Sequence, residues 1–283
     1  MPRVRNDPGM RQTWGKAGDP VAVVLPGSGS TADFVTRAFG EPLAAEGYAL
    51  VTADPVAGPQ VVAAALAGLA EAARRYPVRL AGGVSLGAQL AVRWAAGSPA
   101  AARLDGLLLA LPAWSGPPGP VAAASAVAAD EVQAHGVAAA LRRARRAGVG
   151  WVIDELAAAW PRYGAGLAVT LRAAAGSAGP TAADLARIDV PVGLAAFVDD
   201  PLHPLAVAEQ WAGALRRAAV ERLRLADPGP DRTVLGAATL RALRRAAGGP
   251  PETAATPTRP PAPGCRALPA TARERSRRPA SGR

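Results

Sequence analysis

Short β-branched runs alternate with longer stretches of helical spacing from residue 21 onward, and this alternation leaves few folds open. Val21–Leu25 reads VAVVL and closes at Pro26-Gly27, so it is a buried strand. A helix over Phe34–Glu46, a strand over Tyr48–Thr52 and a helix over Pro59–Tyr76 follow. Val78–Val84 is a third strand running into Ser85, with a helix from Leu86 to Ala96 behind it, and Leu104–Leu111 is a fourth strand. Strands separated by helix-length segments pair in parallel through right-handed crossovers. The expected fold class is therefore α/β, with a mostly parallel, doubly wound sheet.

The alternation stops at Pro112. From there to about residue 185 the pattern is helical only, opening with the turn-rich SGPPGP at Ser115–Pro120. This is read as a helical lid inserted over the strand ends, residues 112–185. A strand at Pro191–Val198, a helix from Pro204 to Leu215, a short strand at Val220–Ala226 and a helix over Thr233–Ala247 complete the core. The expected organisation is a flexible segment over 1–20, a core over 21–111 and 186–247, and a disordered Arg- and Pro-rich tail over 248–283.

Charge invites a different reading. The formal net charge is +10, which fits a polyanion partner. However, seven arginines and two glutamates lie within 249–283, and four basic against two acidic residues lie within 1–20. Residues 21–248 thus carry only +3. Arginine without interleaved aromatics or a recognition motif gives weak support for nucleic acid, and no nucleic-acid partner is expected. The run Arg142-Arg143-Ala144-Arg145-Arg146 reads as a solvated helix face. The first 20 residues are polar and hold three prolines, unlike a signal peptide, and no apolar run is long enough to span a bilayer. A cytoplasmic protein is expected. Two histidines and the single cysteine, Cys265, cannot build a common zinc cluster or a disulfide scaffold, and Pro26-Gly27-Ser28-Gly29 is followed by no dinucleotide or P-loop signature. No metal or cofactor is expected.

The chemistry centres on Gly83-Val84-Ser85-Leu86-Gly87, a G-x-S-x-G pentapeptide at the strand-to-helix switch. Such a turn lifts the serine hydroxyl above the sheet edge, and small residues on either side let the helix pass close to the strand. The helix N-terminus also aims backbone N–H groups at the site. The alternative for Ser85 is a Gly-rich packing turn. A second candidate is Phe197-Val198-Asp199-Asp200-Pro201-Leu202-His203-Pro204, where carboxylates stand just beyond a parallel strand, at the end where such folds bind ligands. The alternative there is an acidic turn favouring a helix dipole.

Taken together, these stretches resemble the α/β-hydrolase family over roughly residues 20–247. The resemblance implies a serine hydrolase with Ser85 as nucleophile and backbone oxyanion donors at Ser28, in Leu25-Pro26-Gly27-Ser28-Gly29, and at Leu86. It selects Asp200, four residues before a proline, as the catalytic acid, and makes Ala53-Asp54-Pro55 a structural turn. Two departures stand out. The family's His-Gly in the oxyanion loop is Pro-Gly here, which leaves the backbone donor intact. The loop after the last strand, Ala226–Asp231, lacks the family's histidine. The chain has only His135 and His203. A serine hydroxyl without a base is a weak nucleophile, so either His203 replaces the missing base or the protein is a non-catalytic relative binding a small apolar ligand or a protein partner. His135 is expected at the surface of the insertion. Trp114, Trp151 and Trp160 either line an apolar pocket over Ser85 or pack the inserted helices, the latter being favoured for Trp151 and Trp160. The expected partner is a small acyl substrate.

Overall fold

Each apolar run of the alternating pattern is a strand in the computed structural model, which describes residues 9–146 and 149–248. The strands are β1 (Arg11–Trp14), β2 (Val21–Leu25), β3 (Ala49–Thr52), β4 (Val78–Val84), β5 (Gly106–Ala110), β6 (Val192–Phe197) and β7 (Ala218–Leu223). They form one sheet in the order β1-β3-β2-β4-β5-β6-β7, parallel throughout except for β1, which pairs antiparallel with β3. The helices are α1 (Ala32–Ala45), α2 (Val61–Arg75), α3 (Leu86–Gly97), α4 (Pro120–Ala144), α5 (Gly150–Ala159), α6 (Leu167–Ala175), α7 (Ala182–Ala186), α8 (Leu205–Ala214) and α9 (Thr233–Ala246).

A parallel sheet covered on both faces explains why the strands read as unbroken apolar runs rather than as alternating ones. Within β2, Val21, Val23 and Leu25 join one core with residues of α2, α3 and α8. Ala22 and Val24 of the same strand point the other way, into a core with α1 and α9. Between β5 and β6 the described residues form helices and a 3-10 turn at Trp160–Gly166, with no strand. This segment has an apolar cluster of its own, built on Ala129, Val132, Trp160, Tyr163, Leu167 and Leu171.

The N-terminal segment departs from expectation. Residues 11–14 form an edge strand instead of a flexible lead. RQTW has no apolar alternation to reveal it, because edge strands bury little. Tertiary contacts hold it: Thr13 and Thr36 share a hydrogen bond of 3.0 Å, Met10 is 7% exposed, and the Trp14 ring packs where Gly40 leaves room. Residues 1–8 of that expected segment, and the expected tail from residue 249 on, lie outside the described residues. The strand expected over Val220–Ala226 is displaced to Ala218–Leu223, and residues 225–230 form a turn.

The crossing of α3 over β2 and β4 fixes the position of Ser85. A Cβ on Gly83 would fall on the Gly87 backbone, and one on Gly87 would fall on the Leu25 carbonyl. Glycine is required at both positions for this close approach. Gly83→Ala is therefore expected to lower stability by about 1–3 kcal/mol, as overpacking against backbone does. The reading is a fall in the urea midpoint without a change in slope; an unchanged midpoint would mean that α3 moves aside freely.

Candidate active site

Ser85 occupies the turn between β4 and α3 with φ 56° and ψ −116°, backbone angles an L-residue adopts only at a cost of roughly 1–3 kcal/mol. The surroundings hold it there: its N–H donates to the Ala110 carbonyl at 2.9 Å, and its carbonyl accepts from the N–H groups of Ala88 and Gln89 at 3.0 and 3.2 Å. The half-buried side chain makes no capping hydrogen bond to the helix that follows it.

Asp200 and His203 come from the loop between β6 and α8. His203 Nδ1 lies 2.8 Å from Asp200 Oδ2, and His203 Nε2 lies 3.0 Å from Ser85 Oγ. A hydrogen-bonded chain thus runs from the hydroxyl through the imidazole to the carboxylate. With the carboxylate on Nδ1, the proton belongs on that nitrogen, which leaves the Nε2 lone pair facing the serine. Asp200 Oδ1 also accepts from the Leu202 N–H at 2.8 Å. Burial alone would push the Asp200 carboxyl up, but the hydrogen bond and charge of His203 and the Leu202 and His203 N–H groups hold it below the usual carboxylate range. The stability it contributes is present above the ordinary carboxylate range and is lost as pH falls through the lowered value. Asp199 does something different: its Oδ1 accepts from the Leu225 N–H at 2.7 Å and ties the loop to the end of β7.

The oxyanion-loop candidate lies alongside. Gly27 packs so closely that a Cβ there would stand 3.4 Å from Ser85 Cβ. Leu86 is the first residue of α3, where N–H groups have no partner within the helix. Among the described residues no backbone carbonyl accepts from Ser28 N–H or Leu86 N–H.

Several solved structures share this architecture. A hydrolase from Pseudomonas aeruginosa aligns with a TM-score of 0.62 at 21% identity, over 85% of this chain and 94% of that one. A thermophilic esterase from Thermogutta terrifontis aligns at 0.59 and 17% identity, over 84% and 93%. An alpha/beta hydrolase from Sphaerobacter thermophilus aligns at 0.56 and 20% identity, over 82% and 94%. This chain has the α/β-hydrolase fold. No protein-family model matches its sequence, and no curated protein does.

Within the α/β-hydrolase fold, the turn after β7 is where the sequence reading found no histidine, and its interior is filled. Trp151 Nε1 donates to the Leu225 carbonyl at 2.6 Å, and Arg232 Nη1 donates to the Pro228 and Gly229 carbonyls at 2.5 and 2.7 Å. The Arg232 guanidinium lies 4.9 Å over the Trp151 ring, which stacks on Phe34 and meets Phe197 edge-on. Glu155 joins Arg232, at 2.9 Å, to Arg37. Sequence reading did not find Arg232 or Glu155, because long-range ion pairs leave no local periodicity.

Ser85 and His203 open onto a cavity of about 240 Å³. Trp114, Trp151 and Trp160 all line it, while Trp160 also belongs to the apolar cluster of the helices between β5 and β6. Lining and packing are therefore not alternatives for Trp160. Two residues of the 3-10 turn fasten this segment beside the site. Tyr163 Oη donates to the Ser30 carbonyl at 2.6 Å, and Arg162 bridges Asp33 and Asp54 at 2.6 and 2.7 Å. Burial pushes the Tyr163 phenol up, so it remains a neutral donor. Asp54 also accepts from the Ala32 N–H at 2.8 Å, bracing the start of α1. His135 is exposed on α4, away from the cavity lining, and Arg142, Arg143, Arg145 and Arg146 are exposed at the end of that helix. No helix among the described residues is long and apolar enough to cross a membrane.

Proposed function

We propose that the protein is a serine hydrolase that cleaves an ester, thioester or related acyl bond through an acyl-enzyme intermediate. The observation that carries this reading is the unbroken chain of hydrogen bonds from Ser85 through His203 to Asp200. In the first half-reaction His203 Nε2 takes the Ser85 proton as Oγ attacks the acyl carbonyl. Asp200 keeps the second imidazole proton on Nδ1 and offsets the charge of the imidazolium. The tetrahedral oxyanion is held by the N–H groups of Ser28 and Leu86. His203 then gives its proton to the leaving alcohol or thiol as the carbon–oxygen or carbon–sulfur bond breaks. Water, deprotonated by the same imidazole, releases the acid and regenerates Ser85. On this reading residues 112–185 act as a lid, and the cavity they share with Ser85 receives the acyl group.

A fluorophosphonate probe tests the proposal directly. Ser85 Oγ displaces fluoride from phosphorus, so mass mapping of a digest is expected to find one adduct, on the peptide holding Ser85. His203→Ala is expected to slow that labelling by orders of magnitude. Folded protein that takes up no label would instead leave a non-catalytic binding protein of this fold.

A further inference from the structure

The loop that carries both Asp200 and His203 has few attachments to the rest of the fold. Val198, Asp199, Pro201 and Leu202 are exposed, so burial of apolar surface does not fix its course. Among the described residues, two hydrogen bonds tie residues 199–203 to other parts of the chain. One is the contact of His203 Nε2 with Ser85 Oγ at 3.0 Å, which the reaction itself breaks and remakes. The other runs from the Leu225 N–H to Asp199 Oδ1 at 2.7 Å. Asp199 is therefore the anchor that takes no part in the proton chain.

The place of this anchor in the sheet explains what it does. The ladder between β6 and β7 pairs Phe197 with Leu223, and the Val198 N–H still donates to the Leu223 carbonyl at 2.8 Å. The next donor on that side, the Leu225 N–H, goes to the Asp199 carboxylate and not to a backbone carbonyl. A continued ladder would keep the two main chains side by side. Handing its next bond to a side chain lets the main chain leave β7 and turn toward Ser85 while the loop stays tethered. The tether point is itself held, because the Leu225 carbonyl accepts from Trp151 Nε1 at 2.6 Å.

We propose that Asp199 is a positioning residue: by accepting from the Leu225 N–H, it holds the Asp200–His203 turn where the imidazole reaches Ser85. This rests on the hydrolase reading above and adds a residue to it. The role needs an acceptor oxygen at Oδ1 and no charge, so asparagine can fill it.

The test compares Asp199→Ala with Asp199→Asn; the side chain is exposed, so neither change disturbs the core. Asp199→Ala is expected to lower kcat for an acyl ester about 10- to 100-fold with KM changed by less than about twofold, since a displaced base slows the chemistry without emptying the cavity. Asp199→Asn is expected to restore most of the lost kcat. An unchanged kcat in Asp199→Ala, a loss carried by KM alone, or an asparagine variant as slow as the alanine one overturns the proposal. A second measurement needs no turnover. The chain has only His135 and His203, so isotope-labelled histidine in a His135→Ala background reports on His203 alone. The proton that His203 Nδ1 shares with Asp200 is expected to give a low-field NMR signal that persists in Asp199→Asn and broadens or vanishes in Asp199→Ala. A signal equally sharp in Asp199→Ala also overturns the proposal. If the signal follows the expected order but the wild-type protein cleaves no ester and takes up no fluorophosphonate, the hydrolase reading fails and the tether stands.

Discussion

Ser85→Ala is expected to abolish turnover of acyl esters, by about 10⁴- to 10⁶-fold, while leaving the fold intact. The size of the loss follows from how the site is built. Gly83 and Gly87 let α3 pass against β2 and β4, and the resulting turn holds residue 85 at φ 56°. No other side chain in the described site stands at that turn with an imidazole 3.0 Å away. Ser85→Gly makes the argument sharper, because it removes the hydroxyl and the backbone strain together. It is expected to be as inactive as Ser85→Ala yet more stable than wild type by about 1 kcal/mol, since glycine accepts positive φ at the expense of some unfolded-state entropy. Thermal unfolding and ester turnover, measured on the three proteins side by side, check both parts. If Ser85→Gly were less stable than wild type, the turn would not be a stored strain. If Ser85→Ala retained turnover, the nucleophile would lie elsewhere.

How much of this was legible in the sequence depended on whether a feature was local. Parallel strands buried on both faces show as continuous apolar runs, so Val21–Leu25 appeared with its observed ends and the other core strands within a few residues of theirs. The Ser85 turn was legible because steric demands put glycine at fixed offsets. Asp200 and His203 were legible because three residues separate them, so their meeting is a property of one loop. What stayed hidden was non-local. β1 is an edge strand with no apolar period, tied down by Trp14 at Gly40 and Thr13 at Thr36. The Glu155–Arg232–Trp151 assembly joins residues about 77 positions apart, and no spacing rule connects them. Trp160 Nε1, buried without a hydrogen-bond partner, was invisible too, because an unmade hydrogen bond has no sequence signature.

His203→Ala is expected to lower ester turnover by about 10³- to 10⁵-fold, with part of the activity returning in added imidazole. The prediction follows from geometry local to one turn. Asp200 Oδ1 accepts from Leu202 N–H, Asp200 Oδ2 faces His203 Nδ1, and the ring's other nitrogen faces Ser85 Oγ. On the proposed mechanism acid and base share this loop, so the turn after β7 is not needed to supply a base. A histidine placed there should fail to compensate. Asp227→His added to His203→Ala is expected to stay inactive, since Asp227 Oδ2 accepts from the Arg224 N–H, and Arg232 and Trp151 hold the carbonyls of the same turn. Recovery in that double variant would show that the turn can deliver a base and that the loop geometry around Asp200 is incidental. His135→Ala provides the control, as an exposed residue of α4 whose loss should change nothing. The pH profile adds an independent reading. Asp200 is held below the usual carboxylate range, so its carboxylate is expected to stay ionised, and turnover not to fall on its account, until pH drops through that lowered value. Asp200→Asn offers the imidazole an amide in place of a carboxylate, so the imidazolium formed in the attack loses its counter-charge. It is expected to cost about 10⁴-fold in kcat while the protein stays folded, and a loss no greater than tenfold would mean that His203 works without the carboxylate.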